Sequence, residues 1–422
     1  MITLHTLTLL AFLLGVNDGN DQEDVLQRLK ALEAENAELA MRIEALAATQ
    51  ENFDLGGLAP PSGESHHGLG PAASKIYEVT EGLSIGGYGE FVYDDFQGGR
   101  NKLDDFQGES NQFDAKRAVL YFGYRFSDKW LLNTEIEIEH ADEIFLEFAH
   151  LDYLHDPALN GRFGLILHPM GFLNEQHEPD TYLGAQRPLT ESRIIPTTWR
   201  ENGAGVFGES GDFAYRAYVL NGFDGMGFSD SGLRGGRQKG SKALANDLAV
   251  TARMDYVGTP GLLAGVSGYV GDSGQDDARL DGTGTSILEA HAEWKADGLW
   301  LRALYAMASV DDVAELNAAN GFTGADSVGE ELEGFYVEGG YDVLQLMEEP
   351  CGAALYPFLR YERIDTQAEV PTGFSSAESN DLEIITMGLH YQPIDHVVFK
   401  LDYQDYDGPT ADRWNLQIGY SF

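Results

Sequence analysis

From Leu83 to its last residue the chain alternates, one apolar side chain and then one polar or small, in run after run. A period of two places unlike residues on the two faces of a strand, whereas a helix would repeat every three to four. Trp130, Leu132, Thr134, Ile136 and Ile138 alternate with Leu131, Asn133, Glu135, Glu137 and Glu139. Leu248, Val250, Ala252, Met254 and Tyr256 flank Asp247, Thr251, Arg253 and Asp255 in the same way. Sixteen such runs are expected, near 83–93, 115–126, 130–139, 144–153, 161–168, 203–209, 213–221, 246–257, 262–271, 286–295, 299–308, 333–343, 353–363, 382–391, 396–406 and 413–422. Sixteen apolar strand faces would leave large exposed patches in water, which argues against a secreted soluble protein.

The connections alternate too. Those at 127–129, 210–212, 258–261, 296–298 and 392–395 are very short, while 94–114, 222–245, 309–332 and 364–381 are long, all of them acidic except 222–245, which has four bases against two acids. The short link near His140–Glu143 is the departure on the long side. Tight turns on one rim and long loops on the other describe an all-β transmembrane barrel of about 16 antiparallel strands. A barrel of that size leaves room for an aqueous channel. An even strand count puts both chain ends on the short-turn side, expected to be the periplasm. The net charge of −42 is spread along the chain, and the loops collect many of the acids, as in Asp94, Asp95, Asp104, Asp105, Asp276, Asp277, Asp311, Asp312, Glu330 and Glu331. Such a balance excludes nonspecific binding to nucleic acid, which needs a cationic surface. Paired loop acids suit hard cations, but no complete calcium loop is present and plain solvation is expected. The lone Cys351, in a short-side turn beside Pro350, rules out an internal disulfide framework and shows no role.

Ahead of the alternating region, residues 4–16 form an apolar run too short to span a bilayer comfortably. It suits a signal peptide over 1–19, though no Lys or Arg precedes it and no A-x-A site follows. Val25, Leu32, Leu39 and Leu46 repeat at seven residues, and Leu29, Asn36 and Ile43 fill the second seam. This predicts a short coiled coil over 21–49, with Asn36 fixing register at an a position and the oligomer number left open. Residues 50–75 are rich in Gly, Pro and Ser and read as a flexible linker carrying a solvated His66–His67 pair. The barrel is then expected over 76–422.

The final strand, with Trp414, Leu416, Ile418, Tyr420 and Phe422 on one face, ends on an aromatic. This resembles the terminal strand of bacterial outer-membrane barrel proteins, and the resemblance implies recognition of Phe422 by the barrel-assembly machinery. The stretch GRFGLILHPMG at 161–171, with FAHLDYLH at 148–155, AYVLNGFD at 217–224 and FLRYERID at 358–365, resembles the phosphate-selective porin O and P family. The resemblance covers roughly residues 80–422. It implies an outer-membrane porin, a homotrimer assembled through barrel and coiled coil, contact with outer-membrane lipid and lipopolysaccharide, and a loop over 169–202 folded inward as the constriction. Strand parity places Arg117, Arg125, Arg162, Arg216, Arg253, Arg302, Arg360 and Lys400 on the inner face, and the loop adds Arg187, Arg193 and Arg200. These are the candidate pore-lining and solute-binding residues, since rings of basic side chains favour anions. Glu135, Glu137, Asp152, Asp247, Asp255, Glu289, Glu293, Glu362 and Asp402 share that face. So many acids depart from the family's lining, and the lumen can equally be one in which carboxylates hold the Arg. Arg234, Arg237, Lys239 and Lys242 could draw anions to the mouth or contact lipopolysaccharide.

The sequence therefore predicts passive diffusion of small hydrophilic solutes or ions, with a possible anion or phosphate preference. The alternative is a structural tether, a plugged barrel with a periplasmic coiled coil. No nucleophile elbow or Ser/His/acid spacing appears, so no enzyme is expected. No cofactor and no metal site is expected, because His168, Glu175, His177 and Glu178 match no ligand spacing.

Overall fold

A computed structural model describes residues 27–28, 30–42, 63–97, 111–347, 352–407 and 412–422. The chain divides into two compact units, Met1–Leu55 and Gly56–Phe422. In the first, residues 30–42 form helix α1. Leu32 and Leu39 lie on its surface, 54% and 47% exposed, leaving the described part of the heptad seam uncovered within one chain. The signal segment, Val25, Leu29, Ile43 and Leu46 fall outside the described residues, as does Cys351.

The second unit is a closed antiparallel barrel whose sixteen strands each pair with their sequence neighbours. They are β1 (Gly82–Phe96), β2 (Gln112–Arg125), β3 (Trp130–Glu139), β4 (Glu143–Asp156), β5 (Leu159–Leu167), β6 (Arg200–Ser210), β7 (Phe213–Asn221) and β8 (Leu248–Tyr256). The second half comprises β9 (Leu262–Asp272), β10 (Gly284–Ala296), β11 (Leu299–Val310), β12 (Glu331–Tyr341), β13 (Ala354–Glu369), β14 (Asp381–Ile394), β15 (Val397–Tyr406) and β16 (Arg413–Ser421). β1 closes against β16, with Tyr88 opposite Ser421 and Phe96 opposite Arg413. The last residue completes the seam: Gly87 N–H donates to Phe422 O at 2.9 Å and Phe422 N–H donates to Gly87 O at 2.8 Å. Closure removes the unpaired edges that any open sheet would carry into lipid.

Alternation sorts the side chains as the pleat requires. On β2, Leu120, Phe122 and Tyr124 face outward while Val119, Tyr121 and Arg117 are buried. Exposed aromatics gather at the short-turn rim, including Phe126, Trp130, Phe213 and Tyr341. Trp130 packs on Tyr153 with ring centroids 4.9 Å apart, and Phe213 on Tyr256 at 5.6 Å. Such a girdle belongs at a membrane interface, where one side of a ring is apolar and the other wet. Glycine is needed where the wall bends inward. Gly164 has φ +134°, and a Cβ there would lie 2.3 Å from Ala149 O on β4.

Three expectations need correction. Arg200 and Glu201, assigned to the inserted loop, open β6, so the loop proper is 168–199. Residues 63–75 do not form a solvated linker. They lead into a one-turn helix α2 (Pro71–Ser74) and a 3-10 turn (Lys75–Glu78), with Leu69, Ala72, Ala73 and Ile76 buried inside the barrel. His67, expected in solvent, packs on Tyr77 and Phe207 at 4.7 and 4.8 Å between ring centroids. Composition misleads here because Gly, Ala and Pro also suit a segment confined to a narrow lumen, where larger side chains would not fit.

Candidate channel lumen

Two segments enter the barrel, and the inner wall is built to hold both. The first is the 168–199 connection. Asn174 ties its two ends together, donating to His168 O at 2.6 Å and to Trp199 O at 2.9 Å and accepting from Trp199 N–H at 2.6 Å. Trp199 lies between the His168 ring, 3.5 Å away, and Phe223, 4.4 Å away, measured centroid to centroid. Beyond that stack the loop presents backbone amides to carboxylates of the wall. Glu362 Oε1 accepts from Thr190 N–H at 2.7 Å and from its hydroxyl at 2.8 Å. Asp402 Oδ2 accepts from Ala185 N–H at 2.6 Å. Wall cations take the loop's carbonyls: Lys400 donates to Gly184 O at 2.9 Å, Arg360 to Gln186 O at 3.1 Å and Arg302 to Thr181 O at 2.9 Å. Within the loop, Glu191 Oε2 caps Phe172 and Leu173 N–H, both at 2.7 Å, and Oε1 accepts from Tyr336 on β12 at 2.5 Å. An inward loop strands many backbone groups away from bulk water, and each needs a partner to avoid a desolvation cost.

The same loop explains a feature that parity alone does not anticipate. One sector of the inner face is apolar. Ile287, Leu304, Leu332, Ile364, Leu382 and Ile384 point inward and pack with Met170, Leu173, Ile194 and Ile195. The polar inner face expected from the sequence is therefore correct for part of the circumference only, because the loop brings its own hydrophobic core into the barrel.

The second segment, 63–79, occupies the opposite sector with Tyr88, Val119, Tyr121 and Phe148 around it. Asn133 donates to Ala73 O at 2.8 Å, Lys75 to Ile85 O at 2.7 Å, and Arg125 to Val79 O at 3.0 Å. Tyr77 donates to Asp152 at 2.5 Å and accepts from Arg162 at 2.8 Å. Gly123 on β2 makes room, since a Cβ there would lie 2.7 Å from the Ile76 side chain. Glu178 joins the two segments, accepting from Ala72 N–H at 3.1 Å and Ala73 N–H at 3.0 Å.

The candidate cations are thus gathered inside one barrel, and most have a partner in the wall. Arg117 meets Glu90 at 2.9 Å, Arg200 meets Glu147 at 2.9 Å, and Arg360 meets Glu338 at 2.8 Å. Arg162 engages both oxygens of Asp152, at 2.9 and 3.0 Å. Arg216 and Arg253 share Asp255, at 2.8 and 2.9 Å, and Arg302 meets Glu293 at 2.5 Å. Arg125 and Lys400 hold the inserted segments, as described above, and Arg187 donates to His177 O at 3.3 Å. Arg193 lines a cavity at the long-loop mouth. His177 contacts Glu135 at 3.1 Å, so the histidines of the loop serve stacking and hydrogen bonding. Among the described residues no group of three or more His, Cys, Asp or Glu is placed to hold a metal ion.

Polar space is divided among cavities. One of about 430 Å³ near the short-turn rim is lined by Gln176, Asp180, Glu293, Lys295, Arg302 and His396, among others. A second, of about 230 Å³, includes His67, Arg216, Arg253 and Asp255. The third, about 470 Å³ at the opposite end, is lined by Arg193, Ser229, Ser231, Gly232, Arg234, Gly235, Arg237 and Lys239. Periodicity places Glu362 and Asp402 inward, but which backbone group each holds depends on where the loop comes to rest.

No family model matches the chain. It is 35% identical over 382 residues to an uncharacterized protein of Aquifex aeolicus, covering 86% of this chain and 85% of the relative. Among solved structures, the trimer form of OmpT, an outer membrane protein of Vibrio cholerae, superposes with a TM-score of 0.51 at 12% identity, covering 82% of this chain and 100% of that one. The outer membrane channel DcaP of Acinetobacter baumannii gives 0.51 at 13% identity, covering 81% and 97%. At such identities the likeness is one of fold, and that fold is the outer-membrane barrel.

Proposed function

We propose that this chain, which belongs to the same family as the Aquifex aeolicus protein, is an outer-membrane channel of the porin type that passes small hydrophilic solutes through a narrow, divided lumen. The observation that carries this is the closed sixteen-strand barrel whose outer face is apolar and whose long 168–199 connection is folded inside. We assign to the periplasm the short-turn side, where β1 begins and β16 ends. Self-association as a trimer is part of the proposal and draws on the trimer form of the Vibrio cholerae barrel. No catalytic step is proposed.

Selectivity follows from the pairing of the lumen charges. An Arg held by a carboxylate attracts a passing anion far less than an unpaired one, because the pair presents little net field. The inner wall is therefore proposed to be weakly selective along most of its length. An ordered liposome swelling assay on refolded protein tests the reading. Swelling with small sugars above the protein-free rate is expected, and none, with or without residues 63–79, would overturn it.

A further inference from the structure

Four successive residues fasten the tip of the inserted loop near the short-turn rim. Glu178 holds α2, as described above. Pro179 packs on β16 so closely that glycine is needed opposite it: a Cβ at Gly419 would lie 2.6 Å from Pro179 Cβ. Asp180 Oδ2 accepts from the Ser421 hydroxyl at 2.7 Å, and Thr181 O accepts from Arg302. Thr181 also folds the tip on itself, its hydroxyl lying 2.8 Å from Gln176 O and 2.7 Å from Glu178 O. One of these contacts involves a side chain that changes charge near neutral pH. His396 lies in the turn between β14 and β15, with Nδ1 3.2 Å from Ser421 Oγ and 3.8 Å from Asp180 Oδ2. Ser421 N–H donates to His396 O at 2.9 Å, which keeps ring and hydroxyl together. The His396 side chain is 24% exposed, and both His396 and Asp180 line the cavity of about 430 Å³, so protons reach the pair from water. The second Asp180 oxygen, Oδ1, is buried with no hydrogen-bond partner among the described residues, so this carboxylate is held through Oδ2.

The other charges around the pair are mostly committed elsewhere. Across the cavity Arg302 meets Glu293, and the Lys295 ammonium rests 3.8 Å above the Trp300 ring centroid. Lys400 and His390, within electrostatic reach of Asp180, bond Gly184 O and Leu183 O. Two carboxyl groups add to the negative side, Glu178 beside Asp180 and Asp395 beside His396. The His396 imidazole is held above its ordinary value, first by its bonding to Asp180 and then, against burial, by the charges of Asp180 and Asp395. The charged ring therefore favours the fastened tip. That contribution is complete below the ordinary histidine range and is lost as pH rises through the raised value. A neutral ring can also carry its proton on Nε2, which leaves Nδ1 as an acceptor competing with Asp180 for the Ser421 hydroxyl proton. We propose that His396, Ser421 and Asp180 form a pH-sensitive latch that fastens the tip of the inserted loop under acidic conditions and releases it under alkaline ones. The inference rests on the channel reading only for its consequence, that release widens the solute path.

Two measurements on the refolded full-length protein test this from about pH 5.5 to about pH 8.5. The first is amide hydrogen exchange of the peptide covering 176–183, compared at each pH with His396→Lys, which keeps the charge. Exchange in the parent should match His396→Lys at the acidic end and exceed it by about threefold or more at the alkaline end. The second is the open fraction in planar bilayers, which should rise with pH by a similar factor. His396→Gln should abolish both responses and hold the tip near its alkaline state, and Asp180→Asn should abolish both responses as well. His155→Gln removes another rim imidazole that lies beside a carboxylate, Asp156 at 3.7 Å, and should keep the parent's profile. A folded-barrel band in cold SDS gels qualifies each variant. Equal tip exchange in the parent and His396→Lys at every pH, or the parent's profile surviving in His396→Gln, would overturn the latch and leave the channel. Tip exchange that responds as expected in a protein with no conductance at any pH would leave the latch and remove the channel.

Discussion

Glu178 shows how much one side chain can decide. Its two oxygens accept from Ala72 and Ala73 N–H, so it bonds the inserted loop to the α2 segment through backbone groups. Glu178→Ala would leave two buried donors without a partner, at about 1–3 kcal/mol each. The expected outcome is a folded barrel with more frequent and larger conductance steps in planar bilayers than the parent. Arg162 tests the wall instead. It and Asp152 are 2% and 0% exposed and lie opposite each other in the β4–β5 register. Arg162→Met would leave a buried carboxylate uncompensated, costing about 3–5 kcal/mol, read as a lower urea midpoint. Both residues were legible as inward from parity. Their pairing was not, because it depends on the stagger of two strands and on Tyr77, which arrives from the other end of the chain region.

At the scale of elements, strands were the easiest to read and inserted segments the hardest. A strand between lipid and lumen must alternate, and one residue of slip would turn every apolar side chain inward. Periodicity therefore located all sixteen. The segment 63–79 carries no period, and its Gly/Pro/Ser composition resembles a linker. Its position comes from sockets on β1–β4, among them Asn133 and Gly123. Deleting residues 63–79 is expected to raise single-channel conductance severalfold without loss of the folded band; unchanged conductance would show that solutes pass elsewhere. Phe422 closes the seam through its backbone, while its ring is 45% exposed. Phe422→Ala should therefore reduce the yield of membrane-assembled barrel in cells more than it lowers the stability of barrel already folded, as measured by the two quantities side by side.

For the whole molecule, the informative quantity is the reversal potential in a KCl gradient. With most inward cations paired, a modest selectivity is expected, falling further as salt screens the mouth. Strong anion selectivity at 1 M salt would mean that the paired wall is not what permeating ions meet. The alternating pattern and the turn and loop lengths determined the barrel, its strand count and its inward charges, because a bilayer permits few solutions for such a chain. The tertiary structure alone decided what fills the barrel. Whether an inward Arg meets a solute, a carboxylate or a loop carbonyl depends on groups more than a hundred residues away, as with Arg302 and Thr181 or Lys400 and Gly184. The basic pocket at the mouth likewise exists only because Arg193 on one connection and Arg237 on another are brought to the same wall. Local sequence sets which face a side chain takes; three-dimensional closure sets what it finds there.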